Sequence, residues 1–125
     1  MNNPLVSIVL PTYNGEEYIS KAIQSIINQT YTNWELIIVN DCSVDSTPEI
    51  INNFSKQDSR IKIINNDKNM KLPASLNRGF EEANGEYYTW TSDDNEYYPN
   101  AIEKMVNFLD EHREYGMVYA ICQLL

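Results

Sequence analysis

Cysteine is scarce, histidine scarcer, and no long apolar run occurs. Two cysteines stand 80 positions apart, Cys42 and Cys122, in neither a metal-ligand nor a redox spacing. They read as reduced thiols of a cytosolic protein. The single histidine, His112, falls near a predicted helix C-terminus, where a charge–dipole role explains it without catalysis. No apolar stretch approaches the ~20 residues that span a bilayer. The opening Met1-Asn2-Asn3-Pro4-Leu5 has no basic region, so no signal peptide is expected. Basic residues are few: Lys plus Arg is 9 against 18 for Asp plus Glu, a formal net charge of −9. Without basic clusters, nucleic acid is not an expected partner, nor is an anionic lipid surface held by bulk charge. Carboxylates in this number suit divalent cations. Repeats and linkers are also absent, and 125 residues make one domain.

What is present is an alternation of apolar runs and helical spacings. Val6–Leu10, closed by Pro11, predicts a buried strand, followed by a helix over Glu16–Gln29 with Ile19, Ala22, Ile23, Ile26 and Ile27 on one face. Trp34–Asn40 is a second strand, and Thr47-Pro48-Glu49 is a helix start with a hydroxyl N-cap. Arg60–Ile64, Glu86–Thr91 and Met117–Leu125 supply three more strands. Helices over Pro73–Ala83 and Asn100–His112 lie between them. The order β-α-β-α-β-α-β-α-β predicts an α/β, Rossmann-like, mostly parallel sheet with helices on both faces. The apolar end at Leu124-Leu125 gives the expectation of a chain cut from something longer.

Ligands of such sheets bind beyond the carboxyl ends of the strands. The residues there are Pro11, Thr12, Tyr13, Asn14 and Glu16 after the first strand, and Asp41 and Ser43 after the second. Lys71 follows the third, and Asp93 and Asp94 the fourth. Tyr13 could stack on a base, Asp41 could accept a uracil N–H, and the adjacent acids could hold a divalent ion against a diphosphate. Each has a plainer reading. The acid pair could serve the dipole of the following helix, and Asp41 or Asn14-Gly15 a turn. Asp45-Ser46-Thr47 could only cap, Tyr13 could be a rim aromatic, and Lys71 a solvated lysine. Their fall at successive strand ends, on one rim, favours a shared site.

Three stretches resemble family 2 glycosyltransferases of the GT-A fold: Val6–Glu16, Glu35–Thr47 with its Asp-x-Ser-x-Asp-x-Thr, and Gly85–Asn95 with Asp93-Asp94. Asp93–Pro99 is similar to the spore-coat polysaccharide enzymes. The resemblance covers nearly the whole chain and makes residues 1–125 the nucleotide-diphospho-sugar-binding part, with the acceptor-binding half absent. It implies inverting transfer of a sugar from a nucleotide-diphospho-sugar to a glycan acceptor hydroxyl in polysaccharide synthesis, assisted by Mn2+ or Mg2+. Thr12 and Tyr13 would contact the nucleotide, with Tyr13 against uracil. Asp41 would bind the base N3–H, Asp93 the ribose or metal-bound nucleotide, and Asp94 the metal. UDP is expected, although thymine shows the same edge. Lys71 stands where relatives carry Arg, keeping the charge without the fork. The family's Asn-x-Gly and Ala-Arg-Asn read Asn69-Met70-Lys71 and Ser75-Leu76-Asn77 here.

The implied general base lies beyond Leu125, so a non-catalytic nucleotide-sugar binder stays open as an alternative. A missing acceptor half would expose apolar surface and favour self-association. The expected location is cytoplasmic, with the inner face of the membrane included. An acidic receiver domain fits poorly, because the acid pair follows the fourth strand and not the first. A dehydrogenase-type module lacks its Gly-x-Gly-x-x-Gly.

Overall fold

A computed structural model of the chain describes residues 3–112 and Glu114. Four strands and four helices alternate: β1 (Val6–Thr12), α1 (Ile19–Ile27), β2 (Trp34–Asn40), α2 (Thr47–Gln57), β3 (Ile61–Asn65), α3 (Lys71–Glu81), β4 (Tyr87–Trp90) and α4 (Ala101–Glu111). All pairings are parallel, in the order β3-β2-β1-β4. The fifth strand expected over Met117–Leu125 lies outside the described residues. Among the described residues, no helix is long and apolar enough to cross a membrane.

β1 and β2 are buried along their whole length, as runs without polar alternation require. Successive side chains go to opposite faces. Ile8, Leu10, Leu36 and Ile38 pack on one face with Ile19, Ala22, Ile23 and Ile26 of α1, Ile51 of α2, and Ile102 and Val106 of α4. Val9, Ile37 and Val39 pack on the other with Leu76 and Phe80 of α3. Helices therefore cover both faces, three against one. The strand order matches the dinucleotide-binding arrangement 3-2-1-4 and not the 2-1-3-4 of receiver-like sheets.

Several boundaries differ from those the sequence predicts. β1 does not stop at Pro11; Pro11 and Thr12 still pair with Val39 and Asn40. α1 begins at Ile19 and not at Glu16, because Tyr18 and Ile19 N–H both turn back onto the Gly15 carbonyl. α3 begins at Lys71, two residues before Pro73, whose missing N–H costs nothing in a first turn. Thr47 is the first residue of α2 and its hydroxyl does not cap the helix.

At the amino ends of the strands, a second polar group sits in the sheet. Ser7 Oγ donates to Glu35 Oε2 at 2.5 Å, and Lys62 Nζ and the Asn84 N–H close on the same carboxylate at 2.9 and 2.6 Å. Burial pushes the Glu35 carboxyl up, but the Ser7, Asn84 and Lys62 contacts outweigh it and hold it below the usual range.

Gly79 is what allows α3 to lie close on the sheet. A Cβ there would meet Val9 Cγ1 at 2.4 Å and Val39 Cγ2 at 3.2 Å, both on stiff β-branched side chains. Gly79→Ala should therefore lower stability in urea unfolding by about 1–2 kcal/mol, with overpacking exceeding the ~1 kcal/mol that Ala gains in a helix.

Candidate functional site

In a parallel strand, alternate residues turn their backbone groups to alternate neighbours. Val9 faces β4 and accepts the Thr91 N–H at 2.9 Å. Pro11, two residues on, faces the same side and has no N–H to offer. The β1–β4 pairing ends at Val9 and Trp90, while β1 and β2 stay paired through Thr12 and Asn40. The chain after β4 leaves the sheet there. The opening is a cleft of about 470 Å3, lined by Pro11, Thr12, Tyr13, Asp41, Leu72, Ser75, Trp90, Ser92, Asp93 and Asp94. The strand order also reverses between β1 and β4, the position at which open α/β sheets bind ligands.

Asp41 forms the cleft's inner wall. Its N–H donates to the Thr12 carbonyl at 2.9 Å, and the residue is 5% exposed. Oδ1 accepts from Asn66 Nδ2 at 2.9 Å and from the Met70 N–H at 2.6 Å; Oδ2 accepts from the Lys71 N–H at 3.0 Å. Burial pushes this carboxyl up, but hydrogen bonds from Met70, Asn66, Lys71 and Ser75 outweigh it, so the group lies below the usual aspartate range. Asp41 is therefore ionised near neutral pH and can only accept. Three residues around it that are not glycine sit in the left-handed region: Asn14 (φ 51°), Cys42 (φ 65°) and Lys71 (φ 71°).

The acid pair forms the outer wall. Thr12 Oγ1 donates to Asp93 Oδ2 at 2.7 Å, and a Cβ at Gly15 would meet that oxygen at 2.4 Å. Asp94 is exposed, and Ser92 Oγ donates to its Oδ1 at 2.8 Å. α4 starts only at Ala101 with Glu103 in its first turn, so the pair does not serve that helix's dipole. Among the described residues, no three His, Cys, Asp or Glu side chains are grouped to cage a metal. The donors present are hard oxygens on two carboxylates and a hydroxyl. That set fits Mg2+ or Mn2+, which keep waters and take further oxygens from a substrate's phosphates.

The cleft unites Pro11, Thr12, Tyr13, Asp41, Asp93 and Asp94 from the set expected at the rim. Asn14, Glu16 and Ser43 instead stitch the first two rim loops together. The Asn14 N–H donates to Ser43 Oγ at 2.9 Å, the Val44 N–H to Asn14 Oδ1 at 2.9 Å, and the Ser46 N–H to Glu16 Oε2 at 2.9 Å. Asp45 accepts from the Glu16 and Thr47 N–H groups, and Thr47 Oγ1 from the Gly15 N–H, so these residues also join the two loops. Lys71 meets Asp41 through its backbone N–H, and its side chain is not among those lining the cleft. Asn66, Leu72 and Trp90 were not among the residues expected at the site, and Ser75 only as part of the stretch in the place of Ala-Arg-Asn. The available signals were a polar residue directly after β3 and a hydroxyl on the inner face of α3.

The pattern of Glycosyl transferase family 2 matches residues 7–123. The putative glycosyltransferase EpsE of Bacillus subtilis is 40% identical over 118 residues, covering 94% of this chain and 42% of EpsE. The putative teichuronic acid biosynthesis glycosyltransferase TuaG of the same species is 34% identical over 108 residues, covering 86% and 43%. The chain thus spans less than half the length of these relatives. Among solved structures, S. aureus TarS 1-349 in complex with UDP-GlcNAc superposes with a TM-score of 0.81 at 27% identity, over 86% of this chain and 32% of that one.

Asp41 and Glu35 have folded-state values below their unfolded ones, so the stability they contribute is fully present above the unfolded value of ~4. It is lost as pH falls through the folded values. The melting temperature should hold from pH 7 to 5 and drop below about pH 4. Asp41→Asn, which turns an amide donor toward three donors, should cost about 1–3 kcal/mol at pH 7 and flatten the acid limb of that curve.

Proposed function

Since the chain belongs to glycosyl transferase family 2, we propose that it binds the donor for transfer of a sugar from a nucleotide-diphospho-sugar to an acceptor hydroxyl in polysaccharide synthesis. The observation that carries this reading is the pairing, across one cleft, of a buried ionised Asp41 with an exposed Asp94. UDP-GlcNAc in the TarS neighbour and the biosynthetic name of TuaG support the donor class and the pathway class.

The chemistry is assigned from the inner wall outward. Asp41 accepts only, so it selects a base edge that presents an N–H, such as uracil N3, and rejects the lone pair of cytosine N3 or adenine N1. Tyr13, half exposed at the mouth, offers a face for stacking on the base. Asp93, whose Oδ2 accepts from Thr12 Oγ1, is assigned to the ribose side of the donor. Asp94, with the remaining lone pairs of Asp93, would hold Mn2+ or Mg2+. When bound, that ion would neutralise charge on the diphosphate leaving group. Asn14, Glu16 and Ser43 act by holding the rim loops, and Lys71 by its backbone N–H on Asp41. In the inverting geometry, the acceptor attacks the face opposite the diphosphate and gives its proton to a base; no described residue is assigned that role. A cytoplasmic site of action, where nucleotide sugars are made, belongs to the same proposal.

Calorimetric titration of UDP with Mn2+, and again with EDTA, tests the assignment. The expected result is metal-dependent binding that Asp94→Ala weakens at least tenfold, with an unchanged melting temperature. UDP binding indifferent to both metal and Asp94 would remove the metal assignment. A folded chain with no affinity for UDP would remove the nucleotide reading.

A further inference from the structure

Asn66 follows β3 directly, and its N–H extends the ladder by donating to the Asn40 carbonyl at 2.9 Å. The side chain points inward from a residue that is 5% exposed. Its Nδ2 donates to Asp41 Oδ1 at 2.9 Å and to Ser75 Oγ at 3.0 Å. Its Oδ1 accepts from Arg78 Nη1 at 2.7 Å. Arg78 lies one turn beyond Ser75 on α3, half-buried, and does not line the cleft.

A primary amide has a donor end and an acceptor end. A guanidinium only donates, and an ionised carboxylate only accepts. Asn66, held between the two, has one orientation. We propose that Arg78 is a positioning residue for nucleobase selection: through Asn66 it fixes the Asp41 carboxylate in the orientation that receives the ring N–H of the base. The inference rests on reading the cleft as a nucleotide-sugar site. Without Arg78, Asn66 Oδ1 becomes a buried acceptor with no donor, and the amide is free to turn. Asp41 then keeps the Met70 and Lys71 N–H groups and the Ser75 hydroxyl but loses the amide donor that sets the tilt of Oδ1. A carboxylate that can tilt, or admit a water, discriminates less between a base edge that donates and one that accepts.

The test uses UDP and CDP as probes, titrated with Mn2+ into the full 125-residue chain as wild type, Arg78→Met and Arg78→Lys. The two nucleotides share ribose and diphosphate, so their affinity ratio isolates the base edge. The wild type should prefer UDP at least tenfold. Arg78→Met should shrink that ratio at least threefold by weakening UDP, with CDP little changed. Arg78→Lys keeps the charge without the fork and should give an intermediate ratio. An Arg78 that only stabilises the fold would weaken both nucleotides equally, or neither, and either pattern overturns the proposal. If Arg78→Met does not fold, Arg78→Lys is read alone, and an unchanged ratio overturns it. A wild type that binds UDP and CDP equally refutes base selection by Asp41 itself, and the role of Arg78 falls with it.

Discussion

One missing hydrogen-bond donor organises the cleft end of this sheet. A central strand flanked on both sides is where proline is normally excluded. β1 tolerates Pro11 because the residue faces β4 beyond the last rung, Thr91 N–H to the Val9 carbonyl. The same omission stops that rung from being followed by another. β1 and β4 part while β1 and β2 stay joined, and the polar residues after β4 are carried outward to face those after β1 and β2. A residue with a backbone N–H at position 11 could extend the pairing and narrow the cleft. The opening thus follows from backbone chemistry at one position, and the side chains of Thr12, Asp41, Asp93 and Asp94 are placed around it.

Asp41 is the second fixed point. Burying a carboxylate is unfavourable unless donors replace the lost water. Here the donors come from separate pieces of chain: an amide after β3, the N–H groups of Met70 and Lys71 at the start of α3, and Ser75 one turn further along it. Meeting the needs of one charged group therefore ties β2, the loop after β3 and α3 together. Lys71, itself in the left-handed region, meets Oδ2 with its backbone N–H, and its side chain is not among those lining the cleft.

The strands were readable because their apolar runs must be buried. Leu36-Ile37-Ile38-Val39 can hardly be placed elsewhere than mid-sheet, and the rim followed from the strand ends. The acid pair and the inner aspartate were readable as rim residues because they follow strands directly, and the fold brings them to one cleft. What escaped were relations across long sequence distance. Pro11 reads locally as a stop, and only the register with β4 shows that it ends one pairing and not the strand. Asn14, Glu16 and Ser43 look like ligand contacts until their partners about 30 residues away come into view. Asn66 carries only its place directly after β3 as a signal, and Arg78 none, because their significance lies in the carboxylate that one touches and the amide that the other touches.

The three left-handed residues at the rim, Asn14, Cys42 and Lys71, are all bulkier than the glycine such backbone favours. Each native conformation carries strain of about 1 kcal/mol, and Asn14 less than the others, because asparagine adopts this region more readily. The strain is largely enthalpic. Against it stands a narrower unfolded ensemble, since a residue with a Cβ samples fewer backbone states than glycine does. The two contributions respond differently to heat: the steric one is nearly constant, while the chain-entropy one grows in proportion to absolute temperature. The loops around the cleft thus carry a steric cost that glycine would not, and the narrower unfolded ensemble offsets only part of it, a part that grows with absolute temperature.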